Sequence, residues 1–153
     1  MTEMFLDMNT FNSDLSNWEV SRVTDMRGMF ADAHSFNQDL SDRDVSRVTN
    51  MLAMFREAFV FNQDLSNWEV SRVSHMTAMF FYAKSFNQDL SYWDVSRVTD
   101  MQLMFIEAIS FNQTLCGVAW VHSKASKDDM FTGSLGSISV SVCGTWMRCY
   151  RCF

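Results

Sequence analysis

The apolar positions of this chain recur at one fixed step. Phe11, Phe36, Phe61, Phe86 and Phe111 are 25 residues apart, and Leu15, Leu40, Leu65, Leu90 and Leu115 keep the same interval. Val20, Val45, Val70 and Val95 follow it, as does the pair Met29-Phe30 through Met54-Phe55, Met79-Phe80 and Met104-Phe105. A constant period of this length, free of insertions, marks units that cannot bury an apolar side alone and gain a common core by lying on one another.

Inside each unit the apolar spacing changes. Leu15, Trp18, Val20 and Val23 read "LxxWxVxxV", which predicts a short strand around Asn17 to Val20 and a turn after it. Met26, Met29, Phe30 and Ala33 then fall at i, i+3, i+4 and i+7, the apolar stripe of a helix that Thr24 or Asp25 would cap. "AHSFNQD" supplies the turn toward the next strand. The fold expected is an α/β solenoid, a right-handed stack of about five strand–helix coils with a C-terminal cap. Residues 1–115 would form the repeats, 116–143 a degenerate closing coil and 144–153 a cysteine-containing tail. The Phe column reads as a core spine. The Asn column behind it (Asn12, Asn37, Asn62, Asn87, Asn112) reads as buried side chains that satisfy backbone groups and bond the units above and below.

Composition removes several function classes. The net charge of -6 disfavours nucleic acid and anionic membranes as partners, and no apolar run is long enough to span a bilayer. The surplus of methionine, 13 residues, is mostly a count of repeats, because eight of them occupy two columns. Motifs of the type G-x-S-x-G, G-x-x-x-x-G-K and H-E-x-x-H are missing, and nothing pairs a nucleophile with a base. His34, His75 and His122 occupy different repeat phases and read as solvated side chains. The chain is therefore expected to be no enzyme, and to use no cofactor and no metal.

The two ends differ. Met1, Met4 and Phe5 fall in the columns of Met26, Met29 and Phe30, so the chain starts within a repeat and an end-to-end contact there is one expectation. At the other end Val118 and Trp120 fall in the Trp and Val columns, and Met130-Phe131 echoes Met104-Phe105 with one extra residue. All four cysteines lie in this region, which suggests disulfides and an oxidising compartment. Cys116 with Cys143 is the preferred bridge, since both belong to the closing coil. Cys149 and Cys152 form a CxxC that reads as a bridge, a redox pair or half a metal site.

Charged residues also form columns. Glu19, Asp44, Glu69 and Asp94 repeat on the strand segment, Asp14, Asp39, Asp64 and Asp89 just before it, and Arg22, Arg47, Arg72 and Arg97 after it. The plain expectation is a set of acid and arginine ladders that neutralise each other. The sharper one is an acidic stripe that collects calcium or a cationic partner, although the Gly-rich loops of calcium repeats are absent. On the same face Asn17, Asp42, Asn67 and Tyr92 vary from unit to unit beside the acidic column. Together with Glu19, Asp44, Glu69 and Asp94 they are the candidate binding residues, for a protein or glycan ligand that the sequence does not identify.

The recurring "W-[DE]-V-S-x-V-[TS]-x-M-x-x-M-F-x-x-A-x-x-F-N-Q-D-L-S", over residues 1 to about 116, closely resembles the BspA-like surface-protein repeats, a leucine-rich-repeat-like class first grouped as a mycoplasma-type lipoprotein repeat. Arg43 departs from it by standing where neighbouring units have Trp. The resemblance implies a leucine-rich-repeat-like solenoid, an extracellular or cell-surface location, and a role in protein binding or adhesion. It implies no catalytic residues. The other expectation is a spacer or end-to-end scaffold that binds no specific ligand.

Overall fold

A computed structural model describes residues 1–144. It overturns the expected architecture. Among the described residues there is one helix, α1 (Val118–Val121), and there are two strands of two residues each, β1 (Thr114–Leu115) and β2 (Ser137–Ile138). The strands pair in parallel, Thr114 with Ser137 and Leu115 with Ile138. A leucine-rich-repeat solenoid of alternating strand and helix is therefore not what this sequence forms. Each unit is built from turns.

The segment expected to be a helix shows why. In a helix every N–H would point back to the carbonyl four residues earlier. Here the amides of Met26, Gly28, Phe30 and Asp32 instead donate to the carbonyls of Asn50, Leu52, Met54 and Arg56 in the next unit, at 2.8–2.9 Å. The alternate amides close i to i+3 turns: Met29 onto Met26, Ala31 onto Gly28 and Ala33 onto Phe30, at 3.1–3.2 Å. Two residues per unit take the left-handed region to make this possible, as Gly28 (φ 57°) and Asp32 (φ 59°) do in this one. The same two columns hold Ala53 and Glu57, Ala78 and Tyr82, and Leu103 and Glu107, all at positive φ. A left-handed non-glycine costs about 1–2 kcal/mol, and the bonds to the next unit offset it. The apolar spacing misled because a chain of i to i+3 turns also returns positions i, i+3 and i+4 to one side.

The segment expected to be a strand is likewise two turns, Trp18 N–H onto the Leu15 carbonyl and Val23 N–H onto Val20, both 2.8 Å. Here the cross-links between units come from side chains. The indole N–H of Trp68 donates to the Leu40 carbonyl, that of Trp93 to Leu65, and that of Trp120 to Leu90, at 2.8–2.9 Å. At the Asn corner, the Oδ1 of Asn37 accepts the Asn62 amide at 2.9 Å and Gln63 Nε2 at 3.0 Å, and Asn12, Asn62 and Asn87 do the same for the unit after each. These asparagines do bond the neighbouring unit, but they are not buried: Asn62 and Asn112 are exposed.

One apolar interior runs through all units. Phe36 and Phe61 stack at 5.9 Å between ring centroids, and the parallel column Phe30, Phe55, Phe80, Phe105 repeats at 5.5–5.6 Å. The two columns interleave, with Phe55 4.1 Å from Phe61 and Phe80 4.0 Å from Phe86. Met51, Met54, Met76, Met79, Met101 and Met104 fill the rest, and each is at most 1% exposed.

Candidate functional site

The eight candidate binding residues, Asn17, Glu19, Asp42, Asp44, Asn67, Glu69, Tyr92 and Asp94, are all exposed, on a segment whose intervening Leu and Val side chains point into the core. Three of their five carboxylates turn out to have local work. Asp44 accepts the Ser46 amide, Glu69 the Ser71 amide and Asp94 the Ser96 amide, at 3.0–3.1 Å. Asp14, Asp39, Asp64 and Asp89 do the same for Ser16, Ser41, Ser66 and Ser91. Each is a side chain that mimics a backbone turn. The bonded serine amides and hydroxyls hold the carboxyls of Asp14, Asp39 and Asp44 below the usual range.

The arginine column forms no close ion-paired ladder with these acids among the described residues, although the charge of Arg47 adds to the Ser46 bonds in holding the Asp44 carboxyl down. Two ion pairs occur among the described residues, Arg27 with Asp25 at 3.0 Å and Arg56 with Asp32. Arg22, Arg47, Arg72 and Arg97 are in neither, and all four are exposed.

Two of the eight candidates, Tyr92 and Asp94, line a well-formed concavity. It is a groove of about 970 Å³ where the last regular unit meets the closing segment. Tyr92, Trp93, Asp94 and Arg97 form one side, Val118, Ala119, His122 and Lys124 another, and Val142, Cys143 and Gly144 an edge. The groove exists because the closing unit is longer than the others. Trp120, expected in the Val column, instead takes the Trp position: its indole bonds Leu90 as Trp93 bonds Leu65. The two extra residues are taken up by the single turn α1, which leaves Val118 62% exposed at the groove's side.

The far edge is pinned covalently. Cys116 and Cys143 are bridged, with Cα atoms 5.1 Å apart, and the Cys143 amide donates to the Cys116 carbonyl at 2.8 Å. Cys116 stands where earlier units have Ser, and its amide reaches the Oγ of buried Ser91 at 3.3 Å. Cys149 and Cys152 lie outside the described residues.

A second constellation was not anticipated from sequence. Asp32, His34 and Glu57 bring their side-chain ligand atoms within 4.8 Å of one another. His34 is not a solvated side chain: it is half-buried and stacks on Phe59 at 4.2 Å, while Lys84 Nζ sits 4.4 Å from the Phe59 centroid. The signal lay in the period, since His34, Phe59 and Lys84 are 25 residues apart. Asp32 Oδ2 is already held by the Arg56 guanidinium. The cluster is therefore accounted for by an ion pair and a stacked ring.

Nothing in the groove pairs a nucleophile with a base. It offers one exposed phenol, apolar walls, serine hydroxyls, two cations and one carboxylate, an inventory suited to recognition. Among the described residues no helix is long and apolar enough to cross a membrane.

In comparison with known proteins, the model of the family described as "Mycoplasma protein of unknown function, DUF285" matches residues 1–80 and 41–139. The two overlapping matches follow from the internal repeat. No curated protein and no solved structure gives a significant match.

Proposed function

The chain belongs to the DUF285 family of Mycoplasma proteins of unknown function, and from that membership and the geometry of the groove we propose that it is a non-catalytic binding or adhesion module displayed outside the cell. The observation that carries this reading is the groove itself: an exposed aromatic ring, Tyr92, beside charged rims and apolar walls, in a molecule whose other apolar columns are closed into the core. The finer kinship, with BspA-like surface proteins, rests on the shared motif around Trp, Val, Met and Phe. A surface location is supported by the Cys116–Cys143 bridge, because such bonds persist in oxidising compartments.

The test is capture. The full chain, immobilised with its disulfide intact, is offered a panel of purified extracellular proteins and glycans, alongside Tyr92→Ala and a control, Val60→Ser, at an exposed position away from the groove. Loss of a captured ligand with Tyr92→Ala and its retention with Val60→Ser is expected. A ligand held equally by both variants, or no capture at all, defeats the proposal.

A further inference from the structure

We propose that the arginine row and the groove it enters form a track for a linear anionic polysaccharide, one bearing sulfates or uronic carboxylates. This assignment rests on the groove being a recognition site. Arg22, Arg47, Arg72 and Arg97 occupy one position in successive units, all exposed and none in an ion pair among the described residues. Lys124 extends the row. Counted from Trp120 in the place of Trp93, Lys124 corresponds to Arg97 and buried Ala125 to buried Val98, and the Asp100–Ser126 bridge returns the chain to a 26-residue step just after. Five cations thus follow one another along the wall, and the last two, Arg97 and Lys124, both line the groove.

The acidic column weakens where the groove begins. In the regular units each cation is preceded, three residues earlier, by Glu19, Asp44, Glu69 or Asp94. At the fifth rung the same place holds Val121, and Asp94 is the one carboxylate that lines the groove with Arg97 and Lys124. The net charge of -6 does not cancel this locally, because at physiological salt exposed charges beyond about 8 Å are largely screened.

The row is continuous from unit to unit. Successive units are joined by parallel bridges, Asp25 to Asn50, Asn50 to His75, His75 to Asp100 and Asp100 to Ser126, where paired backbones lie about 4.8 Å apart, while the Trp68 and Trp93 rings, nearer the row, are 6.5 Å apart. A linear polysaccharide charged on most of its rings presents a succession of anions to such a row. Its apolar ring faces suit the exposed phenol of Tyr92, and its hydroxyls suit those of Ser96, Thr99 and Ser123 at the same site.

The experiment is calorimetric titration of the disulfide-intact full chain with a size-defined heparin oligosaccharide at several salt concentrations. Its desulfated analogue, poly-glutamate and a single-stranded oligodeoxynucleotide serve as competitors. The sulfated sugar is expected to bind, and more weakly as salt rises. The R97Q/K124Q double variant should bind about tenfold or more weakly, with a salt slope shallower by about 2. Tyr92→Ala should lose affinity with the slope unchanged, and Arg27→Gln, off the row, should change neither. Poly-glutamate or the oligonucleotide binding as tightly would overturn the assignment, as would indifference to R97Q/K124Q. So would binding seen only after residues 145–153 are deleted, which would make that segment the groove's occupant. A different ligand from the panel, lost with Tyr92→Ala, would leave the recognition reading standing while this one failed.

Discussion

Arg43 is the one position where the repeat breaks inside its own core wall, and replacing it by tryptophan should stabilise the protein. Trp18, Trp68, Trp93 and Trp120 occupy the equivalent place, and Trp68 and Trp93 stack in parallel, 6.5 Å apart and 2° from coplanar. Arg43 instead reaches back with one guanidinium nitrogen to the carbonyls of Ser16 and Trp18, at 2.9 and 3.0 Å. Its Nε is buried without a partner. A cavity of about 20 Å³ remains beside it, bounded by Leu15, Trp18, Leu40 and Trp68 among others. An indole would remove the unsatisfied Nε, which costs about 1–3 kcal/mol. It would complete stacks with Trp18 and Trp68 worth about 0.5–1.5 kcal/mol each, and filling the void adds about 0.5 kcal/mol. Against this stand the two charge-assisted bonds, about 1.5–3 kcal/mol each at most and less here, because water can reach the exposed Ser16. The balance favours Arg43→Trp by about 1–2 kcal/mol, or roughly 2–8 °C in Tm for a chain of this size. Urea and thermal unfolding of the two proteins measure it. Arg43→Met separates the causes, since it removes Nε but cannot stack, and should recover less than half of the gain. A lower midpoint for Arg43→Trp, at unchanged m-value, would refute the reasoning.

Three further expectations follow from the same geometry. Phe61→Ala removes a fully buried ring stacked on Phe36, Phe55 and Phe86 and should cost about 3–5 kcal/mol in urea unfolding; a cost under about 1 kcal/mol would mean that the column is not a continuous core. Serine bonds lower the carboxyl pKa of Asp14, Asp39 and Asp44 in the folded protein, so their contribution is complete above the ordinary carboxylate value, about 4, and is lost as pH falls through the lower folded value. The urea midpoint should decline below about pH 4, less steeply in Asp39→Asn; an identical acid limb in that variant would contradict the assignment. The Cys116–Cys143 bridge closes a separation of 27 residues, worth up to about 3–4 kcal/mol by chain entropy. Replacing both cysteines by serine should speed hydrogen exchange at the amides of Ser139 and Cys143, which bond Leu115 and Cys116, while Phe61 stays protected; unchanged exchange would show that the edge of the groove is held by other contacts.

The sequence by itself determined which residues lie over which. A 25-residue step in Phe, Leu, Val and Met leaves one way to bury them all, equivalent on equivalent, and the stacked rings at 5.5–6.1 Å are that solution. It also placed the Cys116–Cys143 bridge, through the position of both residues in the closing unit. The backbone path was decided only by tertiary structure. The spacing of Met26, Met29, Phe30 and Ala33 fits a helix and a chain of turns equally, and the choice fell to the bonds between units. Four amides per unit reach the next unit's carbonyls when Gly28 and Asp32 turn left-handed, whereas a short isolated helix would be marginal. The groove is likewise a tertiary product. Trp120 was legible as an apolar column member, but two surplus residues coiled into α1 moved it from the Val to the Trp position. That shift brought Lys124 with Arg97 and Tyr92 into the lining of the groove, because an indole can bond the carbonyl of the preceding unit and a valine cannot.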